Sequence, residues 1–380
     1  MMEPANEPIQ HPTASRLAAA QGDSRKSIGS IGSRSRNKGI QTAAQQALRI
    51  VALGGGTGLS ALLAGLKLHT LRRHRKTRFA DISAIVTVSD DGGSSGRLRR
   101  AFDILAPGDI CNCMVALAED EALLSRLFQY RFSNGKGLQG HSFGNLFLTA
   151  LTHVTGDFHQ AIQLSSEVLA IRGRIFPSTL TNVKLEAQLQ SGRSRSGETR
   201  ISGSPERIKS IRLKPRKCPP LPESLDAIAQ ADAITLGPGS LYTSIIPNLL
   251  VEGIPDAIAR SKAVKIYICN LMWQPGETEG YTAADHVRAI HEHAKQQLID
   301  YVVVNSRQPQ AAVRRRYAEQ DAWPVDVDVA EIESLGAQVI SADLLAGTKA
   351  VRHDSEKLAN LIVEVAREGR PAVKANGAAT

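Results

Sequence analysis

Ile50-Val51-Ala52-Leu53-Gly54-Gly55-Gly56-Thr57-Gly58-Leu59-Ser60 is the stretch that decides the fold. Its first four residues are a short, wholly apolar run, the pattern of a strand buried on both faces. The glycines end that run, and Leu59, Leu62, Leu63 and Leu66 then recur at helical spacing. The order is strand, glycine turn, amphipathic helix.

The same grammar recurs along the chain. Residues 82–88 predict a strand stopped by Ser89-Asp90-Asp91-Gly92-Gly93, and residues 233–236 one that ends at Gly237-Pro238-Gly239-Ser240. Residues 264–269 run into Asn270, and residues 301–304 into Asn305-Ser306. Helical patterns lie between, for example over 283–298 and 355–367. Continuous apolar strands separated by helices make a mostly parallel sheet covered on both faces, hence an α/β, Rossmann-like architecture. One stretch departs from it. Val183 to Leu189 alternates with period two, Ile208 to Leu213 is a second β-prone run, and turn residues separate them. That predicts a small antiparallel add-on at about 175–220.

The expected α/β nucleotide-binding domain spans 47–370. Residues 1–46 are rich in Ser, Ala, Gly, Gln and Arg without apolar periodicity, too little to offset the entropy of ordering, so a disordered basic tail is expected there. That tail lacks the apolar core of a secretory signal. Residues 371–380 read as a short flexible tail.

The chain of 380 residues carries 46 Lys and Arg against 37 Asp and Glu, a net charge of +9. Residues 1–49 account for +4 of it. Two basic stretches, 72–78 and 193–217, decorate a remainder close to neutral. With six Tyr, two Trp and eight Phe there is no evident stacking platform, so nucleic acid is not the expected partner. No run of eighteen apolar residues exists, so no membrane association is expected either. Cys111, Cys113, Cys218 and Cys269 lack zinc or disulfide spacing; the default is a reduced compartment, the cytoplasm.

In an open parallel sheet, ligands bind beyond the carboxyl ends of the strands, and the unusual residues of this chain fall there. Gly55, Gly56, Thr57 and Gly58 offer backbone N–H groups at a helix start, and phosphate is the natural guest. Gly56 to Ala61 also fits the dinucleotide fingerprint, but the ribose-binding acid would fall before the second strand rather than at its end, which disfavours NAD. Asp90 and Asp91, followed by Ser94, Ser95 and Arg97, can hold Mg²⁺ against phosphates or accept from a sugar hydroxyl. Asn112 after Pro107-Gly108-Asp109, His141 and Asn145 before a helix, and Gly239 with Ser240 complete the candidate ligand set. No Ser-His-Asp order, zincin motif or P-loop lysine is present, and no residue is assigned as catalytic.

Taken together, GGGTGLS, VTVSDDGGSSGRLR, PGDICNC, GHSFGNLF, GPGSLYTSIIPNLL, CNLMWQPGET and the late VRHD resemble the gluconeogenesis-factor (YvcK-like) branch of the CofD superfamily, from about Ile50 to the end. The named enzyme of that superfamily, 2-phospho-L-lactate transferase, moves a phospholactyl group from a nucleotide diphosphate donor onto a deazaflavin alcohol. The resemblance implies a nucleotide cradle at GGGTG with Asp90-Asp91 close by, and Tyr317 and Arg352 helping to hold a UDP-sugar. It implies a regulatory protein of cell shape and peptidoglycan homeostasis during gluconeogenic growth, with no established catalysis. The alternative it leaves is a Mg²⁺-dependent transferase acting on a nucleotide diphosphate donor. Cys111 stands where the family usually shows an arginine, and 72–78 reads as an insert. A homo-oligomer is compatible with either reading.

Overall fold

The computed structural model describes residues 47–70, 80–119, 121–347 and 350–369. The expected tails at 1–46 and 371–380 and the basic insert at 72–78 lie outside the described residues.

Seven strands form one sheet: β1 (Leu48–Gly54), β2 (Ala80–Val86), β3 (Arg174–Pro177), β7 (Ala233–Leu236), β8 (Val264–Ile268), β9 (Tyr301–Asn305) and β10 (Gln338–Ala342). Their order is β10-β9-β8-β7-β1-β2-β3, every pairing parallel. Leu53 of β1 pairs with Ile85 on one side and Leu236 on the other. The apolar run read from the sequence is therefore the middle of the sheet, and Ile50, Ala52 and Leu53 are fully buried. From β1 the chain builds outward through β2 and β3, then returns to β7 on the opposite side and builds outward to β10. The reversal lies between β1 and β7, a topological switch point at which α/β sheets place ligands.

The helix Gly56–Lys67 packs between the helices Gly108–Leu117 and Ser355–Glu368. Its crossing with the last helix is close, since a Cβ on Gly65 would run into the Ser355 carbonyl. That last helix buries Leu358, Ala359, Ile362 and Val363 and is capped by Asp354, whose Oδ1 accepts from the Glu356 and Lys357 amides at 3.1 Å. Its docking fixes where the chain just before it must pass, over the carboxyl edge of the sheet.

The antiparallel sheet is narrower than expected. It comprises β4 (Lys184–Leu189), β5 (Ser194–Ser196) and β6 (Ile208–Lys214), in the order β5-β4-β6. Residues 174–177, placed near the start of the add-on by the sequence, instead extend the main sheet as its edge strand. Ile175 and Phe176 are buried, and a four-residue strand with so short an apolar run carries no sign of which sheet it joins. The second strand also stops earlier than expected, at Val86. Thr87 leaves the sheet and its hydroxyl meets that of Ser89 at 3.1 Å. The helix expected over 283–298 ends at Ala294, where Lys295 turns left-handed with φ 58°. Among the described residues no helix is long and apolar enough to cross a membrane.

Candidate functional site

At the switch point lies a cleft of about 1010 Å³. One wall is the glycine turn. Gly56 has φ +62°, a conformation that side chains with a Cβ rarely adopt. A Cβ on Gly55 would lie 2.6 Å from Asp109 Oδ2, and one on Gly58 would run into the Pro238 carbonyl oxygen. Gly55 precedes the helix and provides no side-chain cap; Asp109 takes the Gly56 amide, which leaves those of Thr57 and Gly58 at the cleft.

The facing wall is Pro238-Gly239-Ser240, beyond β7. Ser240 Oγ accepts from Gln274 Nε2 at 2.7 Å, and Gln274 Oε1 accepts from Asn270 Nδ2 at 3.0 Å, which ties this turn to the loop after β8. The five residues after Ser240, Leu241–Ile245, form a π-helical turn. Buried Glu277 holds it in place: its carboxylate accepts from the Tyr242 amide, the Thr243 hydroxyl and the Ser202 hydroxyl. Burial pushes the Glu277 carboxyl up, against those three hydrogen bonds.

The chain returning toward the last helix closes the cleft from above, with Tyr317, Val351, Arg352 and His353 in its lining. Tyr317 sits on the helix Ala311–Ala318, and its hydroxyl accepts the Val351 amide at 3.1 Å, which fixes the backbone next to Arg352. The Arg316 guanidinium lies 5.7 Å from the Tyr317 ring centroid. Among the described residues Arg352 makes no ion pair and is exposed. Burial pushes the His353 imidazole down to about 4, opposed by a hydrogen bond to the Cys269 carbonyl, so this ring is neutral.

The remaining candidate residues divide differently. Asp90, Ser94, Ser95, Asn112 and Asn145 line a second, smaller cavity of about 260 Å³. Asp90 Oδ1 accepts the Gly92 amide at 2.8 Å. Asp91 lines neither cavity; its Oδ1 accepts from the Thr199 amide and hydroxyl at 3.1 and 3.2 Å, which pins the loop to the short helix Glu198–Ser202. Ser94 Oγ and His141 Nδ1 lie 2.9 Å apart, and burial together with the Arg97 and Arg131 charges holds His141 below its usual range. Arg97 is exposed beside Gly140 and lines neither cavity. The buried arginine of this segment is Arg99, which donates to Asn182 Oδ1 at 2.7 Å and to the Ser89 and Val183 carbonyls.

The electrostatics come from acids on separate segments. Asp109 accepts the Gly56 amide and lies between the two cavities; burial first, then Asp90, raises it to about 7. Glu198 lines the main cleft, and burial reinforced by Asp90, Asp109, Glu277 and Asp91 raises it to about 9. Glu198 at the main cleft therefore stays protonated at neutral pH. Among the described residues no three His, Cys, Asp or Glu side chains gather as a cation site. The Asp90–Asp91 pair expected to hold Mg²⁺ is split between Gly92 and Thr199. Asp109, Glu277 and His353 stood in quoted motifs, PGDICNC, CNLMWQPGET and VRHD, without being singled out, and Glu198 stood in none.

The family model described as 2-phospho-L-lactate transferase CofD matches residues 50–345. A gluconeogenesis factor of Bacillus subtilis is 47% identical over 84% of this chain and 98% of its own length. One from Halalkalibacterium halodurans is 46% identical over 83% of this chain and 95% of its own. The crystal structure of a Bacillus halodurans protein superposes with a TM-score of 0.80 at 45% identity, covering 84% of this chain and 100% of that one.

Proposed function

The chain belongs to the CofD family, and from that membership and its cleft we propose that it binds a nucleotide sugar of the UDP-N-acetylglucosamine type. In this reading it is a cytoplasmic regulatory protein of the gluconeogenesis-factor kind, acting on cell shape and peptidoglycan homeostasis during gluconeogenic growth. The observation that carries the proposal is the glycine cradle at the switch point with Arg352 across from it in the same lining. The first turn after Gly55 supplies the Thr57 and Gly58 amides for a diphosphate, and an uncommitted guanidinium can grip the same group in bidentate fashion. Tyr317, held by Val351, offers a ring against which a pyrimidine can stack. Mg²⁺, where it accompanies the ligand, would be carried by the phosphates.

Isothermal titration of nucleotide sugars into the full chain tests this. Losing one charge-assisted contact costs about 1.5–3 kcal/mol, so Arg352→Ala should weaken binding roughly ten- to a hundredfold. Arg315→Ala, on the exposed face of the helix Ala311–Ala318, should change affinity less than twofold. Equal effects from the two would refute the proposal.

A second reading, a transferase acting on a nucleotide diphosphate donor, draws on Asp109. A carboxyl with its titration near 7, lodged between two cavities, can take the proton of an acceptor hydroxyl. Turnover of such a donor with Mg²⁺, lost in Asp109→Asn, would favour that reading.

A further inference from the structure

We propose that the second cavity holds the pyranose ring of the nucleotide sugar, and that Asn112 selects which sugar is accepted. This rests on the nucleotide-sugar reading of the main cleft. The two spaces are neighbours. Asp109 lines the smaller one while accepting the Gly56 amide of the larger. Gly55 packs on the Asp109 carboxyl, and a Cβ on Gly108 would run into Ser95 Oγ and lie 3.2 Å from Asp90 Oδ2. Half-buried Asp109 is therefore common to both spaces, hydrogen-bonded to the cradle and lining the smaller cavity.

The size and chemistry of that cavity suit a sugar ring. Its volume of about 260 Å³ is adequate for one hexose. A pyranose presents hydroxyls around its rim and apolar C–H faces above and below. The polar wall provides two planar amides, Asn112 and Asn145, with the Ser95 hydroxyl and the Asp90 carboxylate. The apolar wall is Val115 and Phe128. Phe128 is held rigid by edge-on contacts with Phe143 and Phe147 at 5.7 and 5.2 Å. Charge argues against a second phosphate here, since Asp90 and Asp109 oppose Arg131, whose own Nη1 already donates to the Gly140 carbonyl at 2.6 Å. Cys111, on the same lining, is a neutral thiol because burial pushes it up, and with Val115 it makes a small apolar corner fit for an acetamido methyl.

Asn112 is singled out by what it lacks. Asn145 donates to Ser95 Oγ at 3.4 Å, and Ser94 is engaged with His141. Asn112, half-buried on the helix Gly108–Leu117, has no side-chain hydrogen bond among the described residues. A free amide on the wall of a polar cavity gains both its donor and its acceptor partners only when a ligand arrives.

The test measures UDP, UDP-glucose and UDP-N-acetylglucosamine by isothermal titration against the full chain and two variants, Asn112→Ala and Val115→Phe. UDP should bind all three proteins within twofold. UDP-N-acetylglucosamine should bind the unaltered chain more tightly than UDP does, and either variant should erase that advantage, a loss of about tenfold. Unchanged sugar preference in both variants, or an equal loss for UDP, would overturn the assignment while leaving the nucleotide reading in place. Failure of UDP itself to bind the unaltered chain would overturn both.

Discussion

Replacing Glu198 with glutamine keeps its shape and removes a carboxyl that the fold holds protonated. In the unfolded chain this group titrates at its ordinary value of 4.5, and in the folded protein at about 9, chiefly through burial and then through Asp90, Asp109, Glu277 and Asp91. Between those values the folded state binds a proton that the unfolded state has released. Stability is therefore fully present below 4.5 and lost progressively as pH rises toward 9. At about 1.4 kcal/mol per unit, the full window sets a ceiling of about 6 kcal/mol. Water entry and relaxation around a partly buried group reduce this to on the order of 2 kcal/mol. Glutamine has nothing to ionise, so Glu198→Gln should melt about 4 °C higher than the unaltered chain at pH 9. At pH 5, where the window has barely opened, the two should melt within about 1 °C of each other. Differential scanning fluorimetry at the two pH values reads the effect directly. An equal rise at both, or none at pH 9, would refute the charge argument.

Other consequences follow from particular contacts. Gly58→Ala should destabilise the protein by about 1–3 kcal/mol and weaken nucleotide binding, because the new methyl must push the glycine turn from the Pro238 carbonyl; thermal melts and titration with UDP check both. Asp91→Ala should free the Glu198–Ser202 helix without unfolding the sheet, seen as faster amide exchange over 197–203 with little change over 48–54. Tyr317→Phe should keep ring stacking but release the Val351 amide, weakening nucleotide-sugar binding several-fold; unchanged affinity would show that the tether does not position Arg352.

The centre of the fold was legible because one local signal sufficed. The 50–53 run followed by a glycine turn and the Leu59, Leu62, Leu63, Leu66 stripe specifies its own neighbours in any parallel sheet. Gly55 to Gly58 and Gly239-Ser240 were legible for the same reason, since glycines at strand ends mark where a backbone must come close. The edge strand at 174–177 was misread because its sheet membership depends on β2, nearly ninety residues earlier. Asp90 and Asp91 look equivalent in sequence, yet one turns the local backbone and the other reaches a helix more than a hundred residues away. The acid set is the least legible part, because Asp109, Glu198 and Glu277 acquire their raised titrations only through burial that the tertiary fold creates. Tyr317 and Arg352 carried no local signal and entered through family resemblance; docking of the last helix on Gly65 is what brings their segment to the cleft.

The central claim is that the glycine cradle takes the diphosphate of a nucleotide sugar. A crystal structure of the full chain grown with UDP-N-acetylglucosamine tests it most directly. The diphosphate should lie against the amides of Thr57 and Gly58 and within reach of the Arg352 guanidinium, with the uracil on the Tyr317 side. A nucleotide seated at the opposite edge of the sheet, in the hollow lined by Arg49, Asp232, Arg260 and Lys262, with the glycine cradle unengaged, would contradict it.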